Sequence, residues 1–263
     1  MDDLSLARHA AFLAAAEIAA RFGTLDHADF KGIVDPVTEA DRAAEEVIVS
    51  ILADNRPDDG ILAEEGGAAD SASGRRWVVD PLDGTVNFVH GFPQVAVSIG
   101  LEDDSGPLVA VIRDAIRNDE FTAIRGEGAF LDGEPMRVSG RTELGRSLVS
   151  TGFAYDRQQR AGEYLAVVDA VMRRARGIRR GGSAALDLAW VACGRLDAHW
   201  EFNLAPWDVA AGRLLVTEAG GTVTASDGGP ATHHDIVASN GGVHEELRTV
   251  VEGAVRGTEL GGP

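Results

Sequence analysis

The chain has 263 residues, 44% of them hydrophobic, 25% charged and 6% aromatic. A chain of this size buries roughly 70–75% of the surface its unfolded form exposes, so its core needs no disulfide or structural metal. The single cysteine, Cys193, rules out an intrachain disulfide and a cysteine-based zinc cluster, and it suits a reducing cytoplasm. A net charge of −18 argues against nucleic acid or a membrane surface as a partner. It also repels any anionic substrate unless bound cations or backbone donors invert the sign locally. The apolar run Ala10–Ala16 is far shorter than the ~20 residues of a membrane span, and Met1-Asp2-Asp3 is acidic where a signal peptide is basic.

Residues 4–22 are rich in Ala and Leu and stop at Gly23, which predicts a helix. A second helix is expected over 38–54, with Thr38 and Asp41 at the spacing of an N-terminal capping box. The cluster 55–60 is a turn, and Ile61-Leu62-Ala63 a short strand that ends in Glu64-Glu65. Trp77-Val78-Val79 is a buried strand leading into Asp80-Pro81-Leu82-Asp83-Gly84-Thr85, which has the composition of a turn. Sheet segments follow at 95–101 and 108–116, a helix at 160–176 and another at 184–191. The last third predicts a strand at 196–201, a helix at 207–219, strands at 222–225 and 235–238, a helix at 243–255 and a frayed tail over 257–263. This mixed order indicates α/β or α+β layers.

Five carboxylates, Glu64, Glu65, Asp80, Asp83 and Asp208, fall at predicted strand ends or helix starts. Oxygen ligands of this kind suit hard divalent cations, magnesium among them, which keep waters for chemistry. Each carboxylate taken alone also fits a solvated surface or a helix cap. Asp80 and Asp83 stand three apart across a proline, and Gly84 and Thr85 then offer backbone N–H groups to phosphate oxygens. The Thr85 hydroxyl, if bonded to a carboxylate such as Asp41, can orient a water for attack.

Together, Asp35-Pro36-Val37-Thr38-Glu39-Ala40-Asp41, Glu64-Glu65, Asp80 through Phe88, Gly182-Ser183-Ala184-Ala185 and Trp207 through Gly212 resemble the motifs of the inositol monophosphatase family, in order. The resemblance implies an α+β fold, an alternating αβαβα sandwich formed as one domain over 1–263. Its N-terminal half, about 1–140, carries most metal ligands, and its C-terminal half, about 141–263, carries Asp208 and substrate contacts. It implies a magnesium-dependent, lithium-sensitive phosphomonoesterase, a cytoplasmic homodimer acting on a small phosphorylated alcohol. Carried over by motif, Glu64, Asp80 and the carbonyl of Leu82 hold one Mg2+, and Asp80, Asp83 and Asp208 a second, with Glu65 beside Glu64 at a weaker third site. Thr85, Asp41 and Glu64 form the catalytic set. Asp83, Gly84, Thr85, Ala184, Glu201 and Asp208 contact substrate.

Glu201 precedes Asp208 by seven residues, as in members that grip a polyol, with inositol 1-phosphate first among the candidates. Ala205 replaces a histidine of the animal enzymes, which keeps histidinol phosphate, fructose 1,6-bisphosphate, adenosine 3′,5′-bisphosphate and NADP open. Arg179 and Arg180 fit either a second anion or a solvated helix end or dimer contact. Two other classes compete: an aspartyl phosphatase, whose D-x-D-G-T motif is one residue shorter than the sequence here, and a non-catalytic metal-binding regulatory module. His233-His234 is expected in an exposed loop, His90 at the substrate mouth or in a structural hydrogen bond, Cys193 as a buried small hydrophobe, and the four tryptophans chiefly in the core. Lys31, the only lysine, belongs either to a loop closing the metal site or to the ordinary surface.

Overall fold

The computed structural model of the protein describes residues 1–23, 29–30, 36–66 and 68–260. Lys31 and Asp35 lie outside the described residues. In chain order the elements are α1 (Asp3–Arg21), β1 (Asp29–Phe30), β2 (Pro36–Val37), α2 (Glu39–Asn55), β3 (Gly60–Ala63), β4 (Ala68–Ala69), β5 (Arg76–Asp83) and α3 (Thr85–Val89). They continue with β6 (Ala96–Asp103), β7 (Gly106–Asp114), β8 (Glu120–Ile124), β9 (Gly128–Leu131), β10 (Glu134–Met136), β11 (Leu148–Thr151) and α4 (Ala161–Met172). The remainder is β12 (Gly177–Arg179), α5 (Ala184–Ala192), β13 (Ala198–Phe202), α6 (Pro206–Glu218), β14 (Thr222–Thr224), β15 (Asp235–Ser239) and α7 (His244–Val255).

An eight-stranded sheet has the order β10-β9-β8-β7-β6-β5-β3-β4, and a five-stranded sheet the order β12-β11-β13-β15-β14. Both are mixed: β3 with β5 and β11 with β12 and β13 are parallel, while most other pairs are antiparallel. Helices α1 and α2 cover one face of the larger sheet, α5 and α6 lie between the two sheets, and α4 and α7 cover the far face of the smaller one. The result is the expected α+β stack of five alternating layers.

Strand alternation sorts the core among these layers. Val97, Ile99 and Leu101 of β6 pack toward α1 and α2, whose small residues Ala7, Ala10, Ala11, Ala14 and Ala44 let helix and sheet approach closely. The alternate positions of β6 are small, and a Cβ on Gly100 would stand 3.1 Å from the Cβ of Ala210 on α6. In the smaller sheet Trp200, Phe202 and Val237 pack against Tyr164, Val167, Leu247 and Val251 of α4 and α7, whereas Ile236 and Ala238 join the central layer.

Several expectations need correction. The helix expected at 160–176 ends at Met172, because the chain turns there to enter edge strand β12. Of the tail expected to fray over 257–263, residues 261–263 lie outside the described residues, and Leu260 is buried against the α4 and α7 layer. Residues 80–83 are strand rather than turn, with consequences for the site. His233 and His234 are half-buried rather than exposed, and their carbonyls accept from the N–H groups of Leu204 and Asn203. Cys193 caps α5, half-buried against the central core, and burial pushes its thiol up. Trp77 and Trp200 are core residues, while Trp207 lines the cleft described next.

Candidate active site

The β5 strand carries Asp80 and Asp83, whose spacing on a regular strand would send them to opposite faces. Here Asp80 pairs with Ser98 and Asp83 with Ala96, three steps of β5 against two of β6. This bulge, at a proline that cannot donate to the ladder, turns both carboxylates to one face. Asp208 arrives from the first turn of α6, where its Oδ2 accepts from the N–H of Ala205 at 2.7 Å. Among the described residues, Asp80, Asp83 and Asp208 form a group whose ligand oxygens lie within 4.8 Å of one another.

Helix starts position the other groups. Thr38 caps α2, and Asp41 in its first turn accepts the Thr38 N–H at 2.8 Å and the Thr38 hydroxyl as well. Its other oxygen faces Thr85 Oγ1 at 2.9 Å, and that hydroxyl also lies 3.2 Å from the carbonyl of Leu82. Ser183 caps α5 and donates to Asp83 Oδ2 at 2.6 Å, beside the N–H of Ala185 at 2.7 Å. Gly84 sits at φ +100°, where a Cβ would come within 2.7 Å of the Gln94 carbonyl, so the turn into α3 requires glycine. The convergence of α2, α3, α5 and α6 aims the positive ends of helix dipoles at buried acids.

Burial raises Asp80 well above the usual carboxylate range, and Glu64, Asp83 and Asp208 add repulsion. Burial acts first on Asp208 too, followed by the charge of Asp83. Asp83 is pushed up to about 6 by burial, its bonds to Ser183 and Ala185 working in the opposite direction. Burial also raises Asp41, although Thr38 and Thr85 bond to it. Three buried carboxylates that repel one another are a donor set that a hard cation satisfies, so these residues fit a divalent metal.

The cleft above this group measures about 600 Å³. Glu64, Asp80, Leu82, Asp83, Gly84 and Thr85 line it from one side. Ala184, Glu201 and Asp208 line it from the other, so nearly all the residues singled out from the sequence meet there. Glu65 is an exception: it lies outside the lining, with its N–H bonded to Glu45 at 2.7 Å. His90 is exposed and also outside the lining. Arg180 lines the cleft and Arg179 does not.

The inositol monophosphatase family matches residues 2–256 of this chain. The chain belongs to the inositol monophosphatase family. An inositol-1-monophosphatase of Synechocystis is 43% identical over 248 residues, covering 93% of this chain and 86% of its own. A protein of Xylella fastidiosa named Nus factor SuhB is 44% identical over 242 residues, covering 89% and 88%. The solved inositol monophosphatase of Anabaena superimposes with a TM-score of 0.87 at 40% identity, covering 95% of both chains. As a member of this family of phosphatases, the protein is a phosphoric monoester hydrolase. The aspartyl phosphatase alternative falls with that membership.

Sequence reasoning missed Arg157, Asp187 and His199. Asp187 lines the cleft, and burial, with Glu201 and Asp83 nearby, raises it well above the ordinary range. Its signal was a charged residue inside the apolar run Ala184–Val191. His199 is fully buried on β13, with Nδ1 2.9 Å from Ser150 Oγ and Nε2 3.4 Å from Glu201 Oε2. Its signal was its position two residues before Glu201, on the same strand face.

Proposed function

We propose that this hydrolase is a magnesium-dependent phosphatase of a small phosphorylated polyol, inositol 1-phosphate first, acting by attack of water. The observation that carries this reading is the convergence of Asp80, Asp83 and Asp208 beside the Thr85 and Asp41 pair. Asp80, Asp83 and Asp208, with Glu64 and the Leu82 carbonyl, would hold Mg2+, with Glu65 near a weaker site. Bound magnesium supplies Lewis-acid activation of water and neutralises charge on the phosphoryl group and the leaving oxygen.

The protein's own residues direct the proton and the substrate. Thr85 gives its hydroxyl proton to Asp41 and accepts one from the attacking water through a free lone pair. Asp41, fully buried and fixed by two bonds from Thr38, is a stronger base than an exposed aspartate. Glu64 completes the catalytic set from the end of β3. Gly84 and Thr85 stand at the first turn of α3, where backbone N–H groups lack helical acceptors, and they receive phosphate oxygens. Ala184 and Glu201 face the alcohol portion across the cleft. Both halves of the chain contribute, so we treat 1–263 as one functional unit, expected to act as a homodimer.

A second reading is a binding role with little or no turnover, favoured by the name Nus factor SuhB of the Xylella fastidiosa relative. Phosphate release separates the two. The panel is inositol 1-phosphate, histidinol phosphate, fructose 1,6-bisphosphate, adenosine 3′,5′-bisphosphate and NADP, each with magnesium, with EDTA and with added lithium. Turnover that EDTA abolishes and lithium depresses is the expected result. Silence across the panel with folded, magnesium-bound protein favours the binding role.

A further inference from the structure

The floor of the cleft is acidic, yet two arginines stand on its wall. Arg157 and Arg180 both line it, and among the described residues neither makes an ion pair, in a chain with 42 Asp and Glu against 24 Lys and Arg. Their placement is built rather than loose. The Arg180 guanidinium stacks 5.7 Å from the Phe153 ring centroid, and Phe153 is itself fixed edge-on against Tyr164 at 5.6 Å. The Arg157 guanidinium stands 5.5 Å from the Tyr155 ring, with Nη1 donating to the Ala154 carbonyl at 3.3 Å. A guanidinium backed by an aromatic face keeps most of its N–H donors for a planar or tetrahedral oxyanion.

Arg180 also lies beside the phosphate end of the cleft. Its Nη1 stands 2.6 Å from where a Cβ of Gly182 would be, and the Gly182 carbonyl is 3.3 Å from where a Cβ of Gly84 would be. Gly182 therefore makes room for the guanidinium. Arg179, by contrast, stands outside the cleft lining on edge strand β12, bonded to the Ile178 carbonyl.

We propose that Arg157 and Arg180 form a second anion subsite, so that the preferred substrate is a phosphomonoester carrying a further phosphate or carboxylate. This rests on the hydrolase reading above and, within its panel, ranks doubly anionic esters such as fructose 1,6-bisphosphate ahead of inositol 1-phosphate. On an acidic protein a second anion is unfavourable without such a receptor, so substrates that differ only in that group report on it directly.

The test compares KM within matched pairs, fructose 1-phosphate against fructose 1,6-bisphosphate for a phosphate and glycerol 2-phosphate against 2-phosphoglycerate for a carboxylate. The expected result is a KM about tenfold lower for the doubly anionic member of at least one pair, as one charge-assisted contact provides. The pair that shows it identifies the anion. In Arg180→Gln and Arg157→Gln that preference ratio falls toward one, and Arg180→Lys retains part of it. Equal KM values within both pairs overturn the proposal, and so does an unchanged ratio in both glutamine variants. The same pairs are compared by equilibrium binding to Thr85→Ala, which retains the backbone donors. Arginine-dependent binding without turnover in the parent protein would overturn the hydrolase reading while sustaining the subsite.

Discussion

At the scale of single residues the site is a set of buried acids, each held by a hydrogen-bond donor from a strand bulge or a helix start. Thr38 fixes Asp41, the Leu82 N–H bonds Asp80 at 3.0 Å, Ser183 and Ala185 hold Asp83, and Ala205 holds Asp208. Asp187 is different, because its Oδ1 is buried with no hydrogen-bond partner among the described residues. Its folded pKa is raised above the unfolded value, so its carboxylate destabilises the fold increasingly as pH rises from about 3.8 to the folded pKa. Asp187→Asn should therefore stabilise the protein at pH 7 by about 1–3 kcal/mol, with the gain shrinking as pH falls toward 4. Urea unfolding at the two pH values measures this, and equal or lower stability of the variant at pH 7 would contradict it. The motif acids were legible in the sequence because helix caps and a proline mark them. Asp187, Arg157 and His199 were not, since only tertiary packing brings Asp187 and Arg157 to the cleft and sets buried His199 behind Glu201.

At the scale of elements, position is set by how closely layers approach. The α6 helix brings Asp208 to the site, and it packs on α5 at Gly212, where a Cβ would meet Leu188 Cδ1 at 2.4 Å and its Cβ at 2.6 Å. The Leu188 Cβ cannot swing aside as a chain terminus can, so Gly212→Ala has to push the helices apart. The variant should lose about 1–3 kcal/mol of stability, and chemical denaturation that shows no loss would mean that α5 and α6 slide freely. The amphipathic helices were readable from periodicity and caps. Strands β8 to β12 were not read as strands. Residues 120–136 mix Gly, Glu and Asp among short apolar stretches, and their pairing with β7 and with one another decides their state. The strand through Asp80-Pro81-Leu82-Asp83 read as a turn for a related reason: its bulge is defined only by the register of β6.

At the scale of the whole molecule, a chain of net charge −18 gathers its carboxylates about a cleft and still belongs to a family that hydrolyses phosphate esters. Helix starts and backbone donors soften that contradiction, and a cation held by the acidic group would resolve it. The larger sheet supplies Asp80 and Asp83, while α6, between the sheets, supplies Asp208, so the triad forms only when the layers are assembled. No helix among the described residues is long and apolar enough to cross a membrane. The most direct test is phosphate release by Asp80→Asn against the parent protein over a range of magnesium concentrations, on the best substrate of the panel. Loss of turnover by at least about a hundredfold, with the fold retained, is the predicted result, since one charge of the cation-holding group is gone. Full activity in Asp80→Asn at the same magnesium requirement would contradict the assignment of this triad as the metal site.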